Sequence, residues 1–391
     1  MLQKIPVPNT ELFVWALIPH YMTEQGLVSH FGEEDTLYNQ ELADVFAELG
    51  IHWKWQPITF ENMYVVIEEV AATSSEYIPV VLNYCYGDED PKYPGTNVYK
   101  LLEAKGIPSA GADAASIEFC TSKINMKRAF IEANILTAPY EVVADINNIW
   151  GICERLGTPL IVKPAMSYGS KGISSTSVVF NDEQVTAQIQ RLLQGEDGSL
   201  LQGKNAMQFP PDSIFVEQFI NGPEFTVFLI GSCHQPDSIK IYPPVERVFD
   251  SNLPEIERFR TYDIAWNKYV QETSVDHQEP LLSFKLVSSE LNDRLCSLAK
   301  NAYCTVGSSG FGRVDIRMDK VSQELFVLEV NPTCDITADQ RSSVGNILYL
   351  SATSFAQLMS EIITEALVRR STKTLLESKL RFYRSPYAKL G

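Results

Sequence analysis

The sequence has no C-x-x-C pair, no regular cysteine framework and no clustered histidines. Its seven cysteines are scattered between Cys85 and Cys334, and its five histidines are equally dispersed. That spacing speaks against a disulfide scaffold and a structural zinc site, and it fits a reducing cytoplasm. Basic patches are missing as well. Lys and Arg number 32 against 49 Asp and Glu, a formal net charge of −17. The densest basic stretch is the tail around Lys379, Arg381 and Arg384. Such a field repels phosphate backbones and anionic membranes, so neither nucleic acid nor membrane is an expected partner. No apolar stretch approaches membrane-spanning length, and no basic region precedes residues 12–18 as it would in a secretory leader. Internal repeats, low-complexity segments and the P-loop spacing are also absent. The expectation is a soluble cytoplasmic chain of 391 residues, too long for one compact core and suited to two or three sub-domains around a cleft.

Strand and helix patterns alternate in the first third. Residues 12–18 and 78–82 are continuous apolar runs, as in strands covered on both faces. Helix patterns cover 39–49, with Leu42, Val45, Phe46 and Leu49 on one face and Gly50 as the stop, and 97–104, ended by Gly106. A small parallel α/β domain is predicted there, bounded near 111–116. The middle third offers helices at 121–133 and 149–156. A strand at 159–162 runs into Lys163-Pro164 and a Gly/Ser-rich loop, 167–175. Two further strands, 214–220 and 225–230, flank the turn Asn221-Gly222-Pro223-Glu224. Residues 236–280 read as polar and irregular, the place for a mobile loop. The last third predicts a helix at 290–306, a hairpin of 311–318 with 324–331, an amphipathic helix at 351–368 and a polar tail.

Three constellations could carry chemistry. In the hairpin, alternation puts Arg313, Asp315 and Arg317 on one face and Val327, Glu329 and Asn331 on one face of the partner strand. Asp315, Glu329 and Asn331 can then converge, and two carboxylates held together call for a hard cation with oxygen ligands. An ion-pair cluster with Arg313 and Arg317 is the competing reading. Lys163 ends a buried strand ahead of Gly169-Ser170-Lys171-Gly172, whose backbone N–H groups can form an anion nest; a snorkelling lysine beside a surface turn is the alternative. Glu217 and Glu224 flank a strand and turn that could hinge around a flat heterocycle, or could simply be a solvated turn.

Taken in order, Lys123, Lys163 with its loop, Glu217 through Glu224, Arg313 with Asp315, and Glu329 with Asn331 resemble the ATP-grasp superfamily. Within it the chain looks most like the D-alanine–D-alanine ligase branch. The resemblance runs from about 81 to 367 and is most specific at Ser122-Lys123, 160–172, 215–225 and 312–332. It implies an α/β fold, α+β in the ATP-grasp part: an N-terminal Rossmann-like pre-ATP-grasp domain (1–115), then a two-lobed ATP-grasp domain. The small lobe, lid and hinge would cover 116–225, the C-terminal lobe with the metal site 226–370, and a tail 371–391. It also implies ATP, two Mg²⁺ ions (Mn²⁺ as a substitute), and a carboxylate joined to an amine through an acyl phosphate. Lys123 and Lys163 would contact the phosphates, and Ser170 with its neighbouring backbone would form the lid over the γ-phosphate. Glu217 would accept from the adenine amino group, with Phe219 and Ile220 lining the base, and Glu224 would hold the ribose. Asp315, Glu329 and Asn331 would bind the metal, and Arg313 would stabilise the transferring phosphoryl group. Homodimers are common in the family.

The amino-acid half departs from the family pattern. No N-terminal glycine/serine segment with its glutamate is evident. Ser167, Tyr168 and Gly169 stand where a Glu-Gly-Ser run is usual. The mobile-loop lysine is matched by Ala265, with Lys268 as a potential substitute. Pro332-Thr333-Cys334-Asp335-Ile336 replaces the usual proline-glycine turn, with Arg341 further on. Asp335 and Arg341 are therefore candidate substrate residues, Arg341 for a carboxylate. The preferred expectation is ligation of amino-acid-like small molecules other than two D-alanines. D-alanine–D-alanine ligation is the alternative, and a non-catalytic ATP-binding regulator the second. A carboxylase or a ligase feeding a carrier protein is a further rival, though no biotin-type lysine motif is evident.

Overall fold

A computed structural model describes residues 5–85, 90–196, 199, 201, 212–267 and 281–384. The first unit contains β1 (Leu12–Thr23), β2 (Gly26–Ser29), α1 (Asp35–Leu49), β3 (His52–Ile58), α2 (Met63–Ala72), β4 (Ile78–Asn83), α3 (Thr96–Lys105) and β5 (Ser109–Ala110). Strand β1 is central. It pairs in parallel with β3 and β4, β5 extends β4 in parallel, and β2 folds back antiparallel on its far end. The uninterrupted apolar run in β1 has a plain cause. Leu12, Val14, Ala16 and Ile18 pack with Leu42, Val45 and Phe46 of α1. Trp15 and Leu17 pack on the other face with α2 and α3. The β3–α2 pair occupies the stretch between 50 and 78, where the sequence reading placed no element.

The next elements are α4 (Ala114–Cys120), α5 (Lys123–Glu132), β6 (Tyr140–Val143), α6 (Ile152–Leu156), β7 (Leu160–Pro164), β8 (Val178–Val179), α7 (Asp182–Gln194) and β9 (Ile214–Gln218). Their strands form an antiparallel sheet in the order β6-β9-β7-β8. Its core gathers Leu160, Val162 and Val216 with Val185, Ile189 and Leu192 of α7, a helix the sequence reading missed.

The third sheet is antiparallel, in the order β13-β12-β10-β14-β15. It uses β10 (Glu224–Ile230), β11 (Lys240–Ile241, paired with β10), β12 (Val245–Phe249), β13 (Leu282–Leu286), β14 (Phe311–Met318) and β15 (Leu325–Asn331). Helices α8 (Ser289–Thr305), α9 (Ser343–Leu350) and α10 (Phe355–Arg384) pack around it. Strand β12 corrects the expectation that 236–280 is irregular throughout. Val245, Arg247 and Phe249 are its buried residues, so a charge interrupts the apolar alternation and hides the strand. Helix α10 begins four residues later than expected and runs well into the tail. Residues 371–384 contain no proline or glycine, so nothing in them breaks the helix.

The β14–β15 ladder carries one irregularity. Asp315 opposes Glu329, yet the next residue, Ile316, opposes Val327. Leu328 is thus the extra residue of a bulge. Val327 turns into the core with Val314, Ile316 and Val330, which corrects its expected place beside Glu329 and Asn331. Leu328, Glu329 and Asn331 face the cleft.

Between β9 and β10 the chain reverses through Asn221-Gly222-Pro223. Lys320 N donates to Asn221 O at 2.9 Å, and Met318 N donates to Pro223 O at 3.0 Å. A Cβ on Gly222 would stand 2.1 Å from Met318 O. Gly222→Ala is therefore expected to destabilise the chain by at least the ~1–3 kcal/mol of an overpacked site, because the obstructing atom is backbone. Urea unfolding reads this, and an unchanged midpoint would refute the close approach.

Candidate active site

Lys123 opens α5. Ser122 ahead of it is extended, and its hydroxyl accepts from Asn125 N, so the predicted helix at 121–133 starts only at 123. Lys123 N donates to Ala165 O at 2.9 Å, stitching α5 to the end of β7. Its Nζ donates to Ser167 O at 2.8 Å and lies 3.2 Å from Glu329 Oε2. One turn later the same helical face presents Lys127, whose side chain is 1% exposed. Its Nζ is 2.6 Å from Glu217 Oε2 and donates to Thr137 Oγ1 and Ala138 O. Lys163 reaches the other Glu217 oxygen at 2.6 Å. Burial alone would raise the Glu217 carboxyl, but Lys127 and Lys163 outweigh it and hold the group below the usual range. Burial pulls Lys127 down, against the pull of Glu217.

The six-stranded sheet supplies the floor, because its cross-strand partners are charged in register. Glu224 opposes Arg317 on one side and Arg247 on the other, and Thr226 opposes Asp315. Arg247 donates to Glu224 Oε1 at 2.7 Å and to Asp315 Oδ1 at 3.1 Å. Arg313 grips both Asp315 oxygens at 3.0 Å, and Thr226 donates to Oδ1 at 2.7 Å. Burial disfavours the ionised Asp315, yet Arg247 and Arg313 hold its carboxyl well below the carboxylate range. Arg317 lies 3.6 Å from Glu224 and stacks over the Phe219 ring at 4.6 Å.

Two adjoining cavities occupy the cleft. The first, about 120 Å³, lies between the four- and six-stranded sheets. Ile161, Ile173, Phe219 and Phe259 form an apolar cluster at this end of the cleft, with Leu328 beside it and Glu217 and Lys163 also lining the cavity. The second, about 380 Å³, is lined by His30, Tyr38, Tyr168, Asp335 and Arg341 among others. Lys123, Ser167, Tyr168, Gly169, Arg260, Arg313, Glu329 and Asn331 border both. The 167–173 loop is tightly turned, with Gly169, Ser170 and Gly172 at φ 57, 61 and 78°, and Lys171 N and Ile173 N close on Tyr168 O and Ser170 O. Burial, helped by Lys171, brings His30 down to about 4, so its ring is neutral at neutral pH.

The donor set fits the groups that the sequence resemblance implies. Asn331 Nδ2 lies 3.0 Å from Glu329 Oε1 and 3.4 Å from Asp315 Oδ2, so two carboxylates and an amide meet at one point. All can offer oxygen, as a hard cation requires. Among the described residues no three Asp, Glu, His or Cys side chains converge. A magnesium ion here would therefore complete its shell with phosphate oxygens and water. The apolar slot beside Glu217 suits a flat base.

Among the described residues, every candidate ligand or catalytic residue from the sequence borders this cleft. Lys123, Lys163, Ser170, Glu217, Phe219, Ile220, Glu224, Arg313, Asp315, Glu329 and Asn331 line the first cavity, and Asp335 and Arg341 the second. Some contacts differ from expectation. The Lys163 ammonium rests on Glu217, and Phe219 N donates to Pro159 O at 2.9 Å. Arg341 is half exposed and pairs with Asp339 and, at 3.6 Å, with Glu34. Arg313 pairs with Asp315 as the ion-pair reading expected, whereas Arg317 pairs with Glu224 instead. Ala265 lies in a short π-helical turn, Asp263–Asn267, while Lys268 lies outside the described residues. Sequence reasoning missed Lys127, Arg247 and Arg260. Lys127 had a signal, the i,i+4 spacing from Lys123, whereas Arg247 sat in a stretch read as irregular.

The D-ala D-ala ligase C-terminus family model matches residues 132–364. A D-alanine–D-alanine ligase of Xanthomonas axonopodis pv. citri is 28% identical over 244 residues, covering 62% of this chain and 64% of that relative. The match thus spans under two thirds of that relative's length. Among solved structures, the D-alanine–D-alanine ligase of Bacillus anthracis complexed with ATP superposes with a TM-score of 0.63 at 18% identity, over 92% of this chain and 99% of the other. The VanG D-Ala:D-Ser ligase of Enterococcus faecalis gives 0.59 at 18% identity, over 91% and 99%. These likenesses show the fold: a mixed α/β chain of the ATP-grasp kind.

Proposed function

The chain belongs to the D-alanine–D-alanine ligase family, and from that footing we propose that it is an ADP-forming ligase joining the carboxylate of one amino acid to the amine of another, with D-alanine as both substrates. One observation carries this reading. A cavity lined by two lysines, an apolar slot and converging oxygen donors opens directly onto a second, larger cavity across Arg313 and Glu329.

The residues divide the task. A carboxylate is a poor electrophile because oxide would have to leave, and phosphorylation supplies a better leaving group. Ile161, Phe219 and Leu328 would sandwich the base, and Glu217 would accept from its amino group. Lys123 and Lys163 would draw the phosphates, and Ser170 with its neighbouring N–H groups would cover them. Asp315, Glu329 and Asn331 would hold magnesium, which supplies charge neutralisation to the phosphate oxygens. Arg313, fixed by Asp315, would meet the charge that develops during transfer. The 167–173 loop would exclude water, which would otherwise hydrolyse the activated carboxylate.

A second reading, ligation of a different amino-acid pair, is favoured by one feature. The turn after Asn331 lines the second cavity with Asp335, beside Arg341 and the neutral His30, a polar and charged lining that two methyl side chains do not require. The test is ADP release with Mg-ATP and D-alanine alone, then with a panel of D- and L-amino acids in pairs, with product mass read in parallel. D-alanine alone should suffice and yield a product one water lighter than the two reactants. Turnover only with another pair would shift the function to the second reading. No turnover with any pair, despite ATP binding, would return weight to a regulatory role.

A further inference from the structure

We propose that Arg260 is a further ligand of the terminal phosphate, beside Lys123 and Arg313, as it passes from the nucleotide cavity to the substrate cavity, an assignment that rests on the ligase reading above. Three cations border both cavities: Lys123, Arg260 and Arg313. Lys123 is taken by Ser167 and Glu329, and Arg313 is gripped by Asp315. Among the described residues Arg260 makes no hydrogen bond or ion pair. It stands close to two like charges, Arg247 and Arg313, each of which has its own carboxylate. The carboxylates of Asp335 and Asp315 offset that repulsion only in part, and an anion entering between the cavities would complete the balance.

The backbone around Arg260 is anchored rather than loose. Phe259 is buried against Phe219, ring to ring at 5.5 Å. Thr261 is buried and its hydroxyl accepts from Ile264 N. Tyr262 N donates to Ile173 O at 2.7 Å, which ties this stretch to the turned loop of Ser170. The position of Arg260 is thereby set relative to that loop. The chemistry suits a guanidinium, whose planar fork matches two phosphate oxygens at once. In the transfer an oxygen of the substrate carboxylate bonds to phosphorus, the bond to the bridging oxygen breaks, and its electron pair leaves with ADP. Arg260 moves no proton and no electron. It accompanies the phosphate oxygens across.

Binding of Mg-AMP-PNP and Mg-ADP to the full chain, wild type against Arg260→Gln, tests this by calorimetry. The terminal phosphate is present only in the first ligand. Expected is an AMP-PNP affinity weakened about 10- to 100-fold, as for loss of a charge-assisted pair, ADP affinity within about twofold, and partial recovery in Arg260→Lys. Equal losses for both ligands would mean a packing role and overturn the proposal. So would unchanged affinities accompanied by a raised KM for the amino acid, which would give Arg260 to the substrate carboxylate. If the wild-type chain binds neither nucleotide, the ligase reading itself falls; if it binds both and Arg260→Gln is silent, only this proposal falls.

Discussion

Replacing Arg313 by Met is expected to cut ADP formation about 10²- to 10³-fold, the loss found when a preorganised donor is removed from developing charge. The chain should stay folded. Asp315 would lose its two-pronged partner but keep Arg247, Thr226 and Asn331, so no buried carboxylate is left alone. Mg-ADP affinity should change little, because Arg313 would act at the group being transferred. Turnover measured at saturating ATP and amino acid separates the outcomes. A variant within about threefold of wild type would remove Arg313 from the chemistry. A variant that loses ADP binding and stability together would make it an ion-pair residue of the sheet.

Glu217→Gln should act on stability as strongly as Arg313→Met acts on rate. It leaves Lys127 almost wholly buried and facing Lys163 with no carboxylate between them. Breaking a buried pair from one side typically costs ~3–5 kcal/mol, and an apolar replacement of the second partner should restore part of that. The double variant Glu217→Gln with Lys127→Met is thus expected to be more stable than Glu217→Gln alone, as read by urea unfolding. The reverse order would mean that Lys127 is satisfied by Thr137 and Ala138 without the ion pair. The pH dependence has a definite sign. The Glu217 carboxyl lies below its unfolded value, so its contribution is present above about pH 4.5 and is lost as the pH falls through the folded value. The wild-type chain should lose this increment in acid, and Glu217→Gln should not.

Much of this arrangement is legible in the sequence because strands write their faces with a period of two. Alternation alone sets Arg313, Asp315, Glu329 and Asn331 opposite one another, and it places Glu217 and Glu224 on either side of a turn. The bulge cannot be read. Phe326-Val327-Leu328 is apolar throughout, so nothing marks which residue is extra, and strict alternation gives Val327 the wrong face. Helix α7 stays hidden for a related reason. Its buried face, Val185, Ile189 and Leu192, is interrupted by the equally buried Gln188, and Gln184 and Gln190 dilute the pattern further. Its ends are marked all the same, by Asn181 as the cap and Gly195 as the stop. Arg247 and Arg260 escape because each looks like an ordinary surface charge in a polar stretch. Only the fold shows that three guanidiniums meet at one corner with two carboxylates between them.

Helix α10 has a consequence for motion. Leu358, Met359, Ile362 and Ile363 share one apolar core with Leu12 and Val14 of β1 and with Phe228 and Phe311 of the six-stranded sheet. The four-stranded sheet has a core of its own. Two of the three sheets are therefore welded, and the third meets them through the Gly222 turn, the polar bridges of Lys123 and Lys127 and two small apolar clusters, Ile161 and Ile173 with Phe219 and Phe259, and Ile124 with Ala165 and Phe215. Apolar cores resist sliding, whereas hydrogen-bonded bridges can be exchanged one at a time. Amide exchange should accordingly report a single hinged flap: slow, correlated protection across β1, β10, β14 and α10, and faster, nucleotide-sensitive exchange in β7, β8 and the loop between them.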